Sequence, residues 1–406
     1  MYKHYFLMLL CAMATQTTVL AQQHAIQPQP VSPQVSGSTA DDVPIKIKRG
    51  KIQIVFALDA TGSMAGLMAA AKDKIWSIAG SITQSDPAPE LELGLVFYRD
   101  RGDAFVTKRV PLTDSIDYVY KELMGIRAEG GGDSPESVNQ GLYEAVTMFA
   151  WDESPEVYKT VFLIGDQAPH MKYTDDVKYP QTCIIAKGKD IVLNTILMGN
   201  DPTARKVWNE IANCSMGSFV NVNMGVNDIA VKTPFDEDIA KMNDELEGMT
   251  YYYGSAHIKN KGAEAKQLSE VVITASRSNV KAQRAEYKMK YAAEKSKSSG
   301  KSYDLLKDVM DKKIDVNTLK QEELPDELQK MTEAERKTFI EGKLAERKKK
   351  ETELQEKIKQ RNAYIKESLS KKNAAEVKNS FNNIIYENIK QQTKKKNIEL
   401  TGEAKY

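Results

Sequence analysis

Two aspartates and two hydroxyls carry the strongest chemical signal in this chain. Asp59 directly follows the apolar run Ile52–Leu58, and the sequence continues Asp59-Ala60-Thr61-Gly62-Ser63. In an extended loop leaving a strand, positions i, i+2 and i+4 project the same way, which groups one carboxylate with two hydroxyls. These are hard oxygen donors, suited to Mg²⁺, Ca²⁺ or Mn²⁺ rather than to zinc or copper. Asp166 closes a second apolar run, Thr160–Ile164, in the same manner. Between the two, the segment Gly130–Glu136 supplies Asp133, Ser134 and Glu136, with the choice among these three open. In an open α/β sheet, ligands bind beyond the carboxyl ends of strands where the strand order reverses. Three oxygen-bearing loops meeting there make a coherent cation site.

The surrounding pattern predicts the elements needed to hold those loops. Ile52–Leu58, Leu93–Tyr98, Thr160–Ile164 and Ile191–Leu197 are apolar runs of strand length, the mark of strands buried on both faces. Phe219–Val222 ends the series, and Val106–Val110 reads as an antiparallel edge partner. Between them lie helical segments: Met64–Ile82 with apolar residues at helical spacing, one from Ile116, one over Pro135–Phe149, one after Pro180 and one from Thr203. Repeated strand–helix alternation implies a doubly wound, mostly parallel α/β sheet with helices on both faces. Beyond it, Thr233-Pro234 with Asp236 predicts a helix start and Tyr251–Gly254 a break. From Asn279 the chain turns helical and charged. Pro325 opens a short helix, and Thr332–Glu335 is a capping box for a long helix to Ser370. On that helix Ile340, Leu344, Leu354, Ile358, Ile365 and Leu369 share a stripe that Arg347, Glu351 and Arg361 interrupt. The expectation is an extended all-helical C-terminal region, not a strict coiled coil.

Residues from about Ile45 to Val222 resemble a von Willebrand factor type A domain, which has a Rossmann-like fold. Asp59-Ala60-Thr61-Gly62-Ser63 is similar to that family's D-x-[ST]-x-S metal-ion-dependent adhesion motif, and Asp166 to its later aspartate. Where many members place a single threonine, this chain has Asp133-Ser134-Pro135-Glu136, similar to a loop of the integrin β-subunit I-like domain. The resemblance implies a protein without enzymatic activity that holds a divalent cation and uses it to bind an acidic residue of a partner protein. The competing expectation is a scaffolding protein acting through its helical region, with the metal site only stabilising the fold.

Composition narrows the alternatives. The 406 residues carry Lys+Arg 57 against Asp+Glu 56, and this balance argues against a nucleic-acid binder working by bulk charge. The charge is unevenly spread, roughly −8 over residues 1–280 and roughly +9 beyond. With 4 His and 3 Cys there is little material for zinc sites or His-based catalysis. The chain starts with a short polar region, the apolar stretch Tyr5–Ala14 and a small residue at Ala21, a signal peptide over 1–21 that predicts export to the periplasm or the cell exterior. After its cleavage no integral membrane segment remains in this reading. A Gln/Pro/Ser-rich linker spans 22–44, the von Willebrand-like domain 45–224, a helical or irregular extension 225–279 and a charged helical tail 280–406. In an oxidising compartment Cys183 and Cys214 become disulfide candidates, a closure worth roughly 3–4 kcal/mol if they meet.

Other motifs carry less. Arg101-Gly102-Asp103 is a chance tripeptide in a strand-end loop. Ser299-Gly300-Lys301-Ser302 lacks the remaining glycine and the preceding strand of a phosphate loop. His170, four residues past Asp166, is either a rim residue of the site or an ordinary loop histidine. Trp76, Trp151 and Trp208 are packing aromatics.

Overall fold

The computed structural model describes residues 49–132, 135–222, 229–298 and 301–406. The expected signal peptide and linker, together with Asp133 and Ser134, lie outside the described residues. Six strands form one sheet in the order β3-β2-β1-β4-β5-β6. In chain order these are β1 (Lys51–Asp59), α1 (Ala65–Thr83), β2 (Glu90–Tyr98), β3 (Thr107–Thr113), α2 (Ile116–Met124), α3 (Val138–Thr147), β4 (Tyr158–Gly165), α4 (Tyr179–Gly188), β5 (Ile191–Met198), α5 (Pro202–Cys214) and β6 (Phe219–Val222). All neighbours pair in parallel except β2 with the edge strand β3. The strand order reverses between β1 and β4, so Asp59 and Asp166 leave the sheet side by side at the same end.

The continuous apolar character of the strands follows from burial on both faces. Along β1, Ile52, Ile54, Phe56 and Leu58 face one core, while Val55 and Ala57 face the other. In β4, Phe162 and Ile164 join the first core and Val161 and Leu163 the second. The second core is closed by α3, α4 and α5 and contains Cys183, which is joined to Cys214 by a disulfide with Cα atoms 5.9 Å apart.

The first core is thicker. Beyond β6 come α6 (Asp236–Gly248), α7 (Ala256–Ala275), α8 (Ser278–Ser298), α9 (Leu305–Met310), α10 (Glu333–Ser370), α11 (Ala374–Lys378) and α12 (Phe381–Thr393). Several pack as a second layer outside α1 and α2. Val280, Tyr287, Phe381, Ile385, Tyr386, Ile389, Ile398 and Leu400 are all buried in the same cluster as the sheet residues. Trp76 of α1 packs its ring 5.6 Å from Tyr287 and 6.0 Å from Tyr120. Past α12 the chain is strapped along α1: the Thr401 amide donates to Ser85 Oγ at 2.9 Å and the Lys405 amide to Ser81 Oγ at 2.8 Å. The helical region is therefore continuous in packing with the sheet.

Some local expectations shift. The helix placed at Pro135–Phe149 is confined to Val138–Thr147, because Glu136 makes an isolated bridge to Pro169 instead. Residues after Pro325 form turns rather than a helix. The helix expected from Thr233 begins at Asp236, whose carboxylate accepts from the Thr233 amide and hydroxyl at 2.8 and 3.0 Å. Helix α7 occupies a stretch whose hydrophobic pattern was weak. In α10 the Thr332–Glu335 capping box is present. The charges that interrupt its apolar stripe are paired inward: Arg347 Nη1 lies 2.6 Å from Asp304, and buried Arg361 donates to Asp236 at 2.9 Å.

One buried ion cluster ties four helices together. Arg284 of α8, 1% exposed, donates to Asp117 of α2 at 2.6 and 2.9 Å, to Glu247 of α6 at 2.5 Å and to Ser269 of α7 at 2.6 Å. Burial pushes the Glu247 carboxyl up, but Lys288 and Arg284 outweigh it and hold the group at about 2. A depressed native pKa contributes stability that is present above the unfolded value of about 4.5 and is lost as pH falls toward 2. Wild type should therefore lose thermal stability between pH 5 and pH 2.5. Glu247→Gln should lower the melting temperature at pH 7 and flatten this acid limb. An acid limb of unchanged steepness in Glu247→Gln would assign the acid lability to other carboxylates.

Candidate metal centre

The site is built from the ends of β1, β2 and β4 and the loop before α3. Asp59 is the last residue of β1 and fully buried. Its Oδ1 accepts the Thr61 amide at 2.9 Å and the Thr61 hydroxyl at 2.6 Å, an Asx-type turn that fixes the loop. Thr61 Oγ1 is 3.1 Å from Ser63 Oγ, so the i, i+2, i+4 alternation does group the three side chains. The loop then enters α1 within two residues. Asp166 follows β4 and is nearly buried, and a hydrogen bond from Ser63 tempers the upward push of burial on its pKa.

Glu136 reaches the same place from the third loop. Its amide donates to Ala168 O at 3.1 Å and its carbonyl accepts from the His170 amide at 2.9 Å. Gly130 and Gly131, at φ +83° and +77°, turn the chain over the site. A Cβ on Gly131 would lie 2.9 Å from the Thr61 Cβ and 3.2 Å from Glu136 Oε1, so only glycine passes. Gly165 is equally confined: a Cβ there would approach Tyr98 Oη to 2.3 Å and Asp59 Oδ2 to 3.0 Å.

Among the described residues, three buried carboxylate oxygens, Asp59 Oδ2, Glu136 Oε2 and Asp166 Oδ1, have no hydrogen-bond partner. Burial, opposed by the Thr61 hydrogen bonds and reinforced by Asp166, pushes Asp59 up to about 7. Burial and the charges of Asp59, Asp100, Asp166 and Asp103 push Glu136 up to about 8. The Tyr98 hydroxyl is raised well above its ordinary value by burial and by the same carboxylates. Unpartnered buried acceptors with mutual repulsion and hydroxyls beside them fit a divalent cation, which supplies the missing positive charge. Among the described residues, no three His, Cys, Asp or Glu side chains alone enclose a metal. The donor set here is mixed, carboxylate and hydroxyl together. Asp59, Thr61, Ser63, Glu136 and Asp166 are thus brought to one place; Asp133 and Ser134 border it in sequence but are outside the described residues.

Sequence reasoning passed over the outer ring of this site. Asp100, two residues past the end of β2, accepts from Ser137 Oγ at 2.9 Å and from Tyr173 Oη at 3.1 and 3.2 Å. Asp103 accepts from the Gly131 amide at 3.1 Å, while Arg101 pairs with Asp175 and Asp176 at 2.7 and 3.0 Å. Both charges of the Arg-Gly-Asp tripeptide are therefore engaged within the chain. The available signal was position: Tyr98-Arg99-Asp100 leaves a buried strand as Asp59 does.

Residues 53–223 match the family model of the von Willebrand factor A domain, and the six-stranded sheet lies within that span but for Lys51 and Ile52 at the start of β1. An ariadne-like RING finger protein of Acanthamoeba polyphaga mimivirus is 28% identical over 86 residues, 21% of this chain and 8% of that protein. Proximal thread matrix protein 1 from the mussel byssus is similar in structure at TM-score 0.34 and 18% identity, over 43% of this chain and 42% of that one. The pilus adhesin SpaC from Lactobacillus rhamnosus GG matches at TM-score 0.34 and 16% identity, over 43% and 28% of the two chains. The SpRpn10 VWA domain matches at TM-score 0.32 and 13% identity, over 43% of this chain and 89% of that one. The chain spans less than half the length of the first two structures and a small part of the mimivirus protein. Among the described residues, no helix is long and apolar enough to cross a membrane.

Proposed function

We propose that this VWA-domain protein is an exported, non-enzymatic binding protein that holds Mg²⁺ through Asp59, Thr61, Ser63, Glu136 and Asp166. Asp133 and Ser134, from the same loop as Glu136, are further candidates for this shell. The observation that carries the reading is the convergence of three buried, unpartnered carboxylate oxygens from three loops beside two hydroxyls. When bound, the cation supplies a positive charge that attracts a carboxylate of a partner protein. The chain's residues orient that charge: Thr61 locks Asp59, Ser63 tempers Asp166, and the Gly130–Gly131 turn keeps side chains off the opening. Among the described residues the imidazole near the site is His170, which is stacked on Tyr173 at 3.7 Å with its Nδ1 unpartnered, so none of these residues orients it as a base; this favours capture over hydrolysis.

The test is calorimetric titration of Mg²⁺ into wild type and Asp59→Ala, followed by capture of envelope proteins with Mg²⁺ and with EDTA. Binding and capture by wild type alone, abolished by EDTA, support the reading. A partner retained by both proteins in EDTA would move function onto the helical region, the scaffolding alternative.

A further inference from the structure

The contacts around Glu136 close on themselves. Glu136 is bonded through its backbone to Ala168 and His170. The His170 ring stacks on Tyr173 with centroids 3.7 Å apart and planes within 9°. The Arg101 guanidinium stacks on the same ring, its carbon 3.8 Å from the centroid. The Tyr173 hydroxyl donates to both oxygens of Asp100, and Asp100 accepts from Ser137, the residue after Glu136. The Ser137 amide also donates to Arg99 O at 3.3 Å. Glu136 Oε2 has no hydrogen-bond partner among the described residues. Asp100 is buried, so exchanging the Tyr173 hydroxyl for water is disfavoured.

The geometry points to Tyr173 as a positioning residue that fixes the Glu136 carboxylate for the cation by clamping the β2 and β4 loops together. This rests on the cation reading proposed above. Tyr173 acts through Asp100–Ser137 on one side and His170 on the other. Groups that orient metal ligands typically change affinity 10–100-fold when removed. Tyr173→Phe keeps the ring stack and deletes only the hydroxyl.

The experiment compares wild type, Tyr173→Phe and Asp100→Asn in full-length protein by Mg²⁺ calorimetry and by amide hydrogen exchange without metal. Both variants should weaken Mg²⁺ binding about tenfold. The Glu136 and His170 amides should exchange faster than in wild type, while β4 amides and the melting temperature of Tyr173→Phe stay unchanged. Unaltered exchange at Glu136 and His170 would overturn the clamp. Faster exchange with wild-type Mg²⁺ affinity would overturn its role in the site. If wild type binds no Mg²⁺, the cation reading falls, and with it a metal role for Tyr173, while the exchange data still decide whether the hydroxyl holds the loop.

Discussion

A chain cut after Asn279 is expected to lose cooperative folding, with ANS binding, a flattened near-UV spectrum and aggregation, although the whole sheet is retained. The cut removes Val280, Tyr287, Phe381, Ile385, Tyr386 and Ile389 from the core shared with the sheet. Burial of such side chains stabilises by about 1.5–3 kcal/mol each, so six contribute at least about 9 kcal/mol. A domain's whole stability is about 5–15 kcal/mol. Removal also leaves Asp117 without Arg284, and an unpaired buried charge costs several kcal/mol more. Helix α1 would then present Trp76, Ser77 and Ser81 to water without Tyr287, Asn382 and the Lys405 amide that meet them. Recovery of a soluble, cooperatively melting fragment would show that α1 tolerates solvent on its outer face and that the helical region is a separable module.

The second large effect concerns Asp59→Asn. At pH 8, above its shifted pKa of about 7, Asp59 of the metal-free wild type is ionised in a buried site beside Asp166. The raised pKa means that metal-free stability falls as pH climbs from about 4 through 7, since the native state holds the proton longer than the unfolded one. Asparagine keeps an oxygen to accept from the Thr61 amide and hydroxyl but carries no charge. Asp59→Asn should thus melt at least as high as wild type in EDTA at pH 8. Added Mg²⁺ at a hundred times its dissociation constant should stabilise wild type by about 2.7 kcal/mol, a rise of several degrees in melting temperature. The variant should show no rise. Calorimetric melts with and without Mg²⁺ read both effects, and an equal Mg²⁺ response in the two proteins would remove Asp59 from the site.

How far these features were legible in advance depended on whether the cause was local. Asp59, Thr61 and Ser63 were legible because strand exit and the two-residue alternation are local geometry, and Asp166 because it ends an apolar run in the same way. The strands announced themselves because burial on both faces demands unbroken apolar runs. The Thr332–Glu335 box was legible because capping needs only four residues. Tyr173 was invisible: its partners Asp100 and Arg101 come from the loop after β2, 73 and 72 residues away, and nothing in its own neighbours marks it.

The helical region shows the same division. Its charge and its helices could be read from composition and capping. That Arg284 and Arg361 lie inside could not, because a lone arginine in a charged stretch looks solvated until Asp117, Glu247 and Asp236 are brought to it from distant positions. Sequence alone determined the sheet, the grouping of Asp59, Thr61 and Ser63 and the capped long helix, each set by neighbours a few residues apart. Only tertiary structure decided that Glu136, a candidate in the sequence, lies against the Thr61 and Ala168 loops and that the helices finish the core over α1. Both depend on surfaces meeting across more than a hundred residues of intervening chain or on loops from separate strands, where short-range spacing carries no information.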